Sequence, residues 1–278
     1  MPRRSQPEPS VAAAATARSA SLWREADGAA QAIRRDLPVE AAIGLSYDST
    51  PYVVVMGSPA DIEDLATGFT VTERIAALDD IVQVSVTETE AGVVADILLS
   101  PAASRTVLAE RRRTQAARSS CGLCGIESLK QAVRPLTPLG PGPQVTRGAI
   151  QAALRDLETG QVLGARTRAT HAAAWADPSG AIRLVREDVG RHNALDKLIG
   201  AALRAGLDPG NAFVVVTSRC SYEMVEKTAA AGVSILVAIS APTDLAVRQA
   251  EEANMTLVAL ARADGHCLFT GGERIREP

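Results

Sequence analysis

Of the 278 residues only four are cysteine (Cys121, Cys124, Cys220 and Cys267), too few for a disulfide framework in a chain of this length. Long hydrophobic runs are missing too. No apolar stretch reaches the roughly 18 residues a membrane-spanning helix needs, so no membrane association is expected. Arg3 and Arg4 are followed by Ala, Ser, Pro and Glu rather than by an apolar core, which argues against a signal peptide and makes the cytoplasm the expected compartment. An excess of positive charge is absent. A net charge of −3 and a pI near 5.7 argue against a dedicated nucleic-acid binder. The local group Arg111, Arg112, Arg113 and Arg118 is either a basic surface or a solvated helix face. Neither a Walker loop nor a GxGxxG run occurs. What is present, 46 % hydrophobic and 22 % charged residues, is an ordinary globular balance for one large domain or two small ones.

Residues 1–20 are Pro, Ser and Ala without periodicity and read as a disordered tail, with structure beginning near Trp23. An N-terminal subdomain is expected over 21–110. In it Pro51–Met56 suits a buried strand, and Ser58-Pro59-Ala60-Asp61 looks like a helix start capped by Ser58, with Ile62, Leu65 and Phe69 on one face. Ile81–Val86 and Val93–Leu99, with Gly92 between them, predict a hairpin. Residues 111–145 break the pattern with arginines, Ser119-Ser120, the run CGLCG and several prolines, and read as a mobile loop carrying a CxxC pair. Residues 146–278 form the expected C-terminal α/β domain. Strands are predicted at Ala181–Val185, Phe213–Val216, Ile235–Ile239 and Thr256–Ala261, and helices at Asn193–Ala205, Ser221–Ala231 and Thr243–Ala253. Three consecutive crossovers predict an α/β fold with a mostly parallel sheet.

In such a sheet ligands bind beyond the carboxyl ends of the strands. The loops there are Arg186–Asn193, Thr217–Ser221, Ser240–Asp244 and Arg262–Gly265. Hydroxyls and arginines before helix N-termini suit a phosphate or pyrophosphate, with Arg219, Arg262 and Arg191 as cations and Ser218, Ser240 and Thr243 as hydroxyl donors. Asp188 and Asp244 have the chemistry to hold a guanine edge, a ribose or a pterin. Against this, Ser221 and Thr243 are also ordinary helix caps, and Asp188 could pair with Arg191.

A CxxC pair reads as a zinc half-site, a redox dithiol or a sulfur-handling nucleophile. Structural zinc wants four ligands, and Cys220, Cys267, His171, His192 and His266 are each isolated, so no metal is expected. A deaminase zinc site would place an acid two residues after its histidine, where His171 is followed by Ala172 and Ala173. A thioredoxin-like pair opens a helix after a strand, whereas Cys121 follows an Arg- and Ser-rich stretch. Nearby arginines would favour a thiolate, and Gly122 and Gly125 leave the sulfurs unshielded, which suits accepting a sulfur and passing it on. A redox switch, with a reversible Cys121–Cys124 disulfide, stays open. Cys220 and Cys267 adjoin apolar strands and are expected to be buried and inert.

CGLCG, EDVGRHNALDKLIG, TSRCSYEMVEKTAAAG and SAPTDLAV, in this order and with Pro59–Ile75 before them, resemble the FdhD family of formate dehydrogenase accessory sulfurtransferases over roughly Leu37–Ile275. The resemblance implies a cytidine deaminase-like core beside a smaller N-terminal α+β subdomain, and a homodimer. It implies a persulfide on Cys121, assisted by Cys124, loaded by a cysteine desulfurase. The sulfur would go to Mo-bis(molybdopterin guanine dinucleotide), for which a guanine nucleotide is a mimic, before that cofactor enters formate dehydrogenase. The cofactor-binding segment it implies is Leu260, Ala261, Arg262, Ala263, Asp264 and Gly265. Two positions depart from the family pattern: Arg168-Ala169-Thr170 stands before His171 where Gly-Gly is frequent, and Leu260 stands where an aromatic is frequent. The alternative within the same resemblance is a chaperone that binds the cofactor without transferring sulfur.

Overall fold

Alternating small and polar residues give two strands, β1 (Ala15–Leu22) and β2 (Gln31–Pro38), which pair antiparallel from Ala15↔Pro38 to Leu22↔Gln31. The structure, a computed structural model, describes residues 14–24, 30–107 and 135–277. The expected tail is therefore corrected over its last residues: β1 begins at Ala15, and Trp23 marks its end. Ala, Thr and Ser carry little local signal, and the strand is held by its backbone ladder rather than by a hydrophobic stripe. The start of the tail lies outside the described residues.

Next come β3 (Ala41–Tyr47), β4 (Thr50–Gly57), helix α1 (Ile62–Thr72), β5 (Ile81–Thr89) and β6 (Gly92–Leu99), with sheet order β4-β3-β6-β5. Ile43, Leu45, Val93 and Ile97 face Ile62 and Leu65 of α1. The predicted hairpin is present. Gly92 turns it with φ 144°, where a Cβ would stand 2.1 Å from the Ala42 carbonyl oxygen. Two expectations are corrected. β4 is an edge strand whose Tyr52, Val54 and Met56 are exposed, because an apolar run does not reveal which side of the pleat is covered. Ser58 does not cap α1. The helix starts after Asp61 (φ 54°), and Ser58 is committed elsewhere.

The C-terminal part contains β7 (Val145–Thr146), α2 (Arg147–Gly160), α3 (Val162–Thr167), β8 (His171–Ala176), β9 (Ile182–Asp188), α4 (Arg191–Arg204), β10 (Phe213–Val216), α5 (Tyr222–Ala230), β11 (Ile235–Ala238), α6 (Asp244–Glu252), β12 (Thr256–Arg262), β13 (Gly265–Thr270) and β14 (Ile275–Arg276). The large sheet runs β13-β12-β11-β10-β8-β9. One face, including Trp175, Val214 and Leu236, packs under Leu195, Leu198, Met224 and Ala250 of α4, α5 and α6. The other, including Phe213, Val215 and Val237, packs on Ile150 and Leu157 of α2. The fold is mixed α/β. The expectation of a mostly parallel sheet is corrected to a mixed one. β10–β11 and β11–β12 pair parallel, but β8 pairs antiparallel to both β9 and β10, and β13 pairs antiparallel to β12. β8 and β13 are joined to β9 and β12 by short turns, which allow only antiparallel neighbours, and the alanine-rich β8 has almost no strand signal of its own.

The two sheets are joined by close helix packing and buried ion pairs. α1 crosses α4 at two glycines: a Cβ on Gly68 would lie 1.8 Å from the Asp196 carbonyl oxygen, and one on Gly200 1.9 Å from that of Asp64. Lys227 of α5 donates to Asp196 (3.0 Å) and Glu73 (2.8 Å), binding α5 to α4 and to the end of α1. The expected mobile loop 111–145 is corrected over 135–145. Arg74 donates to the Pro135 carbonyl, Leu139 N to Ala253, and the buried Arg274 to Gly140 and Pro141. A proline-rich stretch keeps free carbonyls, and these are what the two arginines exploit.

Candidate functional site

β9, β10, β11 and β12 all point the same way, so their carboxyl ends meet along one edge of the sheet, as expected. The loops there are tied together. Cys220 N donates to Ala241 O (3.2 Å) and Thr243 N to Cys220 O (3.0 Å). Leu260 N donates to Ser240 O (3.2 Å), and Ala172 N to Thr217 Oγ1 (2.9 Å). The last bond brings the start of β8, with His171, onto the same edge. Arg186, Glu187 and Asp188, expected in the first loop, belong to β9 itself.

At the β12 end, Leu260 has φ 52° within a bulge, Ala261 is buried, and Arg262, Ala263, Asp264 and Gly265 form the exposed tip leading into β13. A leucine in the left-handed region is strained, a state that concentrates at functional sites. Ser240 is half-buried. Thr243 caps α6, accepting from Ala246 N (3.2 Å), which leaves its O–H to donate. Asp244 is exposed and pairs with Arg248 (3.1 Å).

In the middle, Arg219 is exposed, but Ser218 is buried with its hydroxyl on the Arg219 carbonyl (3.0 Å), so it faces the protein instead of the edge. Ser221 stands at the cap position of α5 without capping it; its hydroxyl reaches Glu223 (3.4 Å). Cys220 is buried as expected, and burial pushes its thiol up to about 12. Cys267, expected to be buried, is exposed on the edge strand β13. The apolar neighbours that suggested burial, Leu268 and Phe269, are themselves half open.

At the β9 end the expectation from sequence needs its largest correction. Asp188 is fully buried and accepts from Ser58 N (2.9 Å), Gly190 N (2.7 Å), Asn193 Nδ2 (3.1 Å) and Lys197 Nζ (2.6 Å). It is saturated and not a ligand for guanine, and its ionic partner is Lys197 rather than Arg191. Lys197 also donates to Ser58 O (2.9 Å) and Asn193 to Met56 O (2.8 Å), so the motif Glu187–Lys197 fastens the exit of β4 to the large sheet. Arg191, the first residue of α4, has a buried Nε without a hydrogen-bond partner among the described residues. Next to it His192 Nε2 meets Glu223 Oε2 at 2.7 Å. Burial, then Arg191 and His192, hold His171 below its ordinary value of 6.5, with Asp188 opposing them. Sequence reasoning placed His192 on the edge within the Arg186–Asn193 loop but gave it no role, and it missed His171. The signal for His171 was that it opens the strand preceding β9.

Cys121, Cys124 and the arginines Arg111, Arg112, Arg113 and Arg118 lie outside the described residues. Among the described residues no group of His, Cys, Asp and Glu is placed to hold a metal, and no helix is long and apolar enough to cross a membrane.

A family model described as the FdhD/NarQ family matches residues 38–276. The chain is similar to the sulfur carrier protein FdhD of Agrobacterium fabrum, with 44 % identity over 243 residues, covering 87 % of this chain and 89 % of that one. It is similar to the sulfur carrier protein FdhD of Bordetella petrii at 42 % over 238 residues, 85 % of each chain. Among solved structures, a putative formate dehydrogenase accessory protein from Desulfotalea psychrophila superposes with a TM-score of 0.74 at 21 % identity, covering 94 % of this chain and 99 % of that one.

Proposed function

This chain belongs to the FdhD/NarQ family, and on that footing we propose that it is a cytoplasmic sulfur carrier that serves formate dehydrogenase through Cys121. The observation that carries the reading is the run Cys121-Gly122-Leu123-Cys124-Gly125 in a chain whose sheet edge gathers Arg191, Arg219 and Arg262. The thiolate of Cys121 attacks the outer sulfur of a cysteine desulfurase persulfide; that S–S bond breaks, the desulfurase thiolate leaves, and Cys121 holds the persulfide. Cys124 then attacks Cys121 Sγ, which forms a Cys121–Cys124 disulfide and releases the terminal sulfur as sulfide to the acceptor. The two electrons come from the Cys124 thiol, and a cellular dithiol reductant resets the pair.

The acceptor is Mo-bis(molybdopterin guanine dinucleotide), bound as substrate, with a guanine nucleotide as its mimic. Its phosphates meet Arg262, Arg219 and Arg191, its polar groups meet Ser240 and Thr243, and the Leu260–Gly265 tip bounds it. The core is read as cytidine deaminase-like with an α+β subdomain before it, and the working unit as a homodimer. Helices on both faces of a six-stranded mixed sheet support the first of these.

Intact-protein mass spectrometry after incubation with a cysteine desulfurase and cysteine tests the proposal. Wild type should gain one sulfur atom, and Cys121→Ala should gain none while still binding GDP. No gain on wild type beside an active desulfurase would replace the carrier by a cofactor-binding chaperone.

A further inference from the structure

The edge holds basic side chains at two separate places. Arg262 leaves β12, whereas His171, Arg191 and His192 gather at the start of β8 and just past the end of β9. β8 lies three strands from β12 and β9 four, which at about 4.8 Å per strand separates the groups by roughly 14–19 Å along the sheet.

In the second group Arg191 has no matching anion among the described residues. Asp188 is the carboxylate that His171 senses, but four donors already occupy it, Lys197 among them. Glu223 is engaged by His192 and Ser221. Among the described residues Arg191 makes no ion pair, and its Nε is buried with no acceptor. A buried guanidinium N–H normally finds an oxygen, so an orphan one in a native fold calls for an explanation. The depressed His171 agrees with this geometry: burial, then Arg191 and His192, oppose its protonation. A planar guanidinium beside two imidazoles offers several N–H donors from different directions, which suits the oxygens of a phosphate.

We propose that His171, Arg191 and His192 form a phosphate subsite separate from the Leu260–Gly265 segment, so that a ligand carrying phosphate at two distant points lies along the sheet edge. The proposal rests on the reading of this edge as the cofactor-binding side and adds a second anion pole to it.

The chain has only three histidines, so imidazole NMR signals report on the site directly, with His266, on β13 next to the Leu260–Gly265 tip, reporting on the other pole. The probes are inorganic pyrophosphate and GDP, added to the full chain. Pyrophosphate should shift the signals of His171 and His192, whether or not His266 at the other pole moves. Arg191→Met should weaken that binding about tenfold or more, the scale of one lost charge-assisted contact. If His171 and His192 stay unmoved at saturating pyrophosphate and GDP, the subsite is wrong, and the wild-type titration shows this even if Arg191→Met does not fold. GDP binding that Arg262→Ala abolishes, with both histidines silent, would sink the second pole and leave the carrier reading standing. That reading falls only if Cys121 takes no sulfur.

Discussion

Asp188 and Lys197 are both fully buried and face each other at 2.6 Å. Such a pair is costly to break on one side, because the remaining charge stays in a dry interior. Lys197→Met should therefore lower stability by about 3–5 kcal/mol, and adding Asp188→Asn should recover part of the loss, read from urea midpoints. At His171 the sign runs the other way from a stabilising ion pair. The folded state holds its pKa below 6.5, so as pH falls past 6.5 the unfolded chain binds a proton that the native chain refuses. Stability declines through that window until pH drops below the folded value. His171→Gln should flatten the decline between about pH 7.5 and 5.5 in denaturant titrations, leaving a smaller slope from His266, which burial and then Arg147 depress likewise. Residue types were legible in the sequence here, but partners were not. Asp188 reads as a ligand acid until Ser58, 130 positions away, is seen to donate to it.

At the scale of elements, α1 and α4 approach as closely as they do because neither carries a side chain at the crossing. Gly68→Ala or Gly200→Ala should push the helices apart and cost about 1–3 kcal/mol or more, visible as a lowered thermal midpoint. The same sequence stretches were legible as helices from their apolar stripes, and the 3.6-residue spacing of Leu195, Leu198 and Ala202 places their buried face correctly. Their glycines read only as weak helix positions; that two of them meet is a property of the packed pair. Arg274 presents a similar case. It satisfies the carbonyls of Gly140 and Pro141 from a fully buried position, so Arg274→Met should strand both acceptors. Faster limited proteolysis within 135–145 would be the observable, and a cleavage rate equal to wild type would count against this anchor.

For the whole molecule, Cys121, the proposed sulfur carrier, lies fourteen residues along the chain from Val107 and fourteen from Pro135. Both flanking points are tied down, Val107 in the core under α1 and Pro135 by Arg74. Fourteen residues of any chain span at most roughly 50 Å, so chain length alone allows one thiol to serve both a donor protein and the sheet edge. Deleting half of the residues between Val107 and Cys121 should leave loading by the desulfurase intact and slow delivery of sulfur, measured as loss of the added sulfur mass after cofactor is supplied. The amino-acid sequence by itself determined the local features: the helices with their apolar stripes and glycine stops, the Gly92 hairpin, the CxxC run and the loops that end the parallel strands. These depend on neighbours a few residues apart, where backbone sterics and side-chain periodicity act directly. Only the tertiary structure decided that β8 enters the sheet between β9 and β10, that Asp188 is spent on Lys197, and that Arg191 Nε is buried without an acceptor among the described residues. Each of those depends on which distant residue fills the space opposite, and a low-dielectric interior makes that choice matter far more than local preference does.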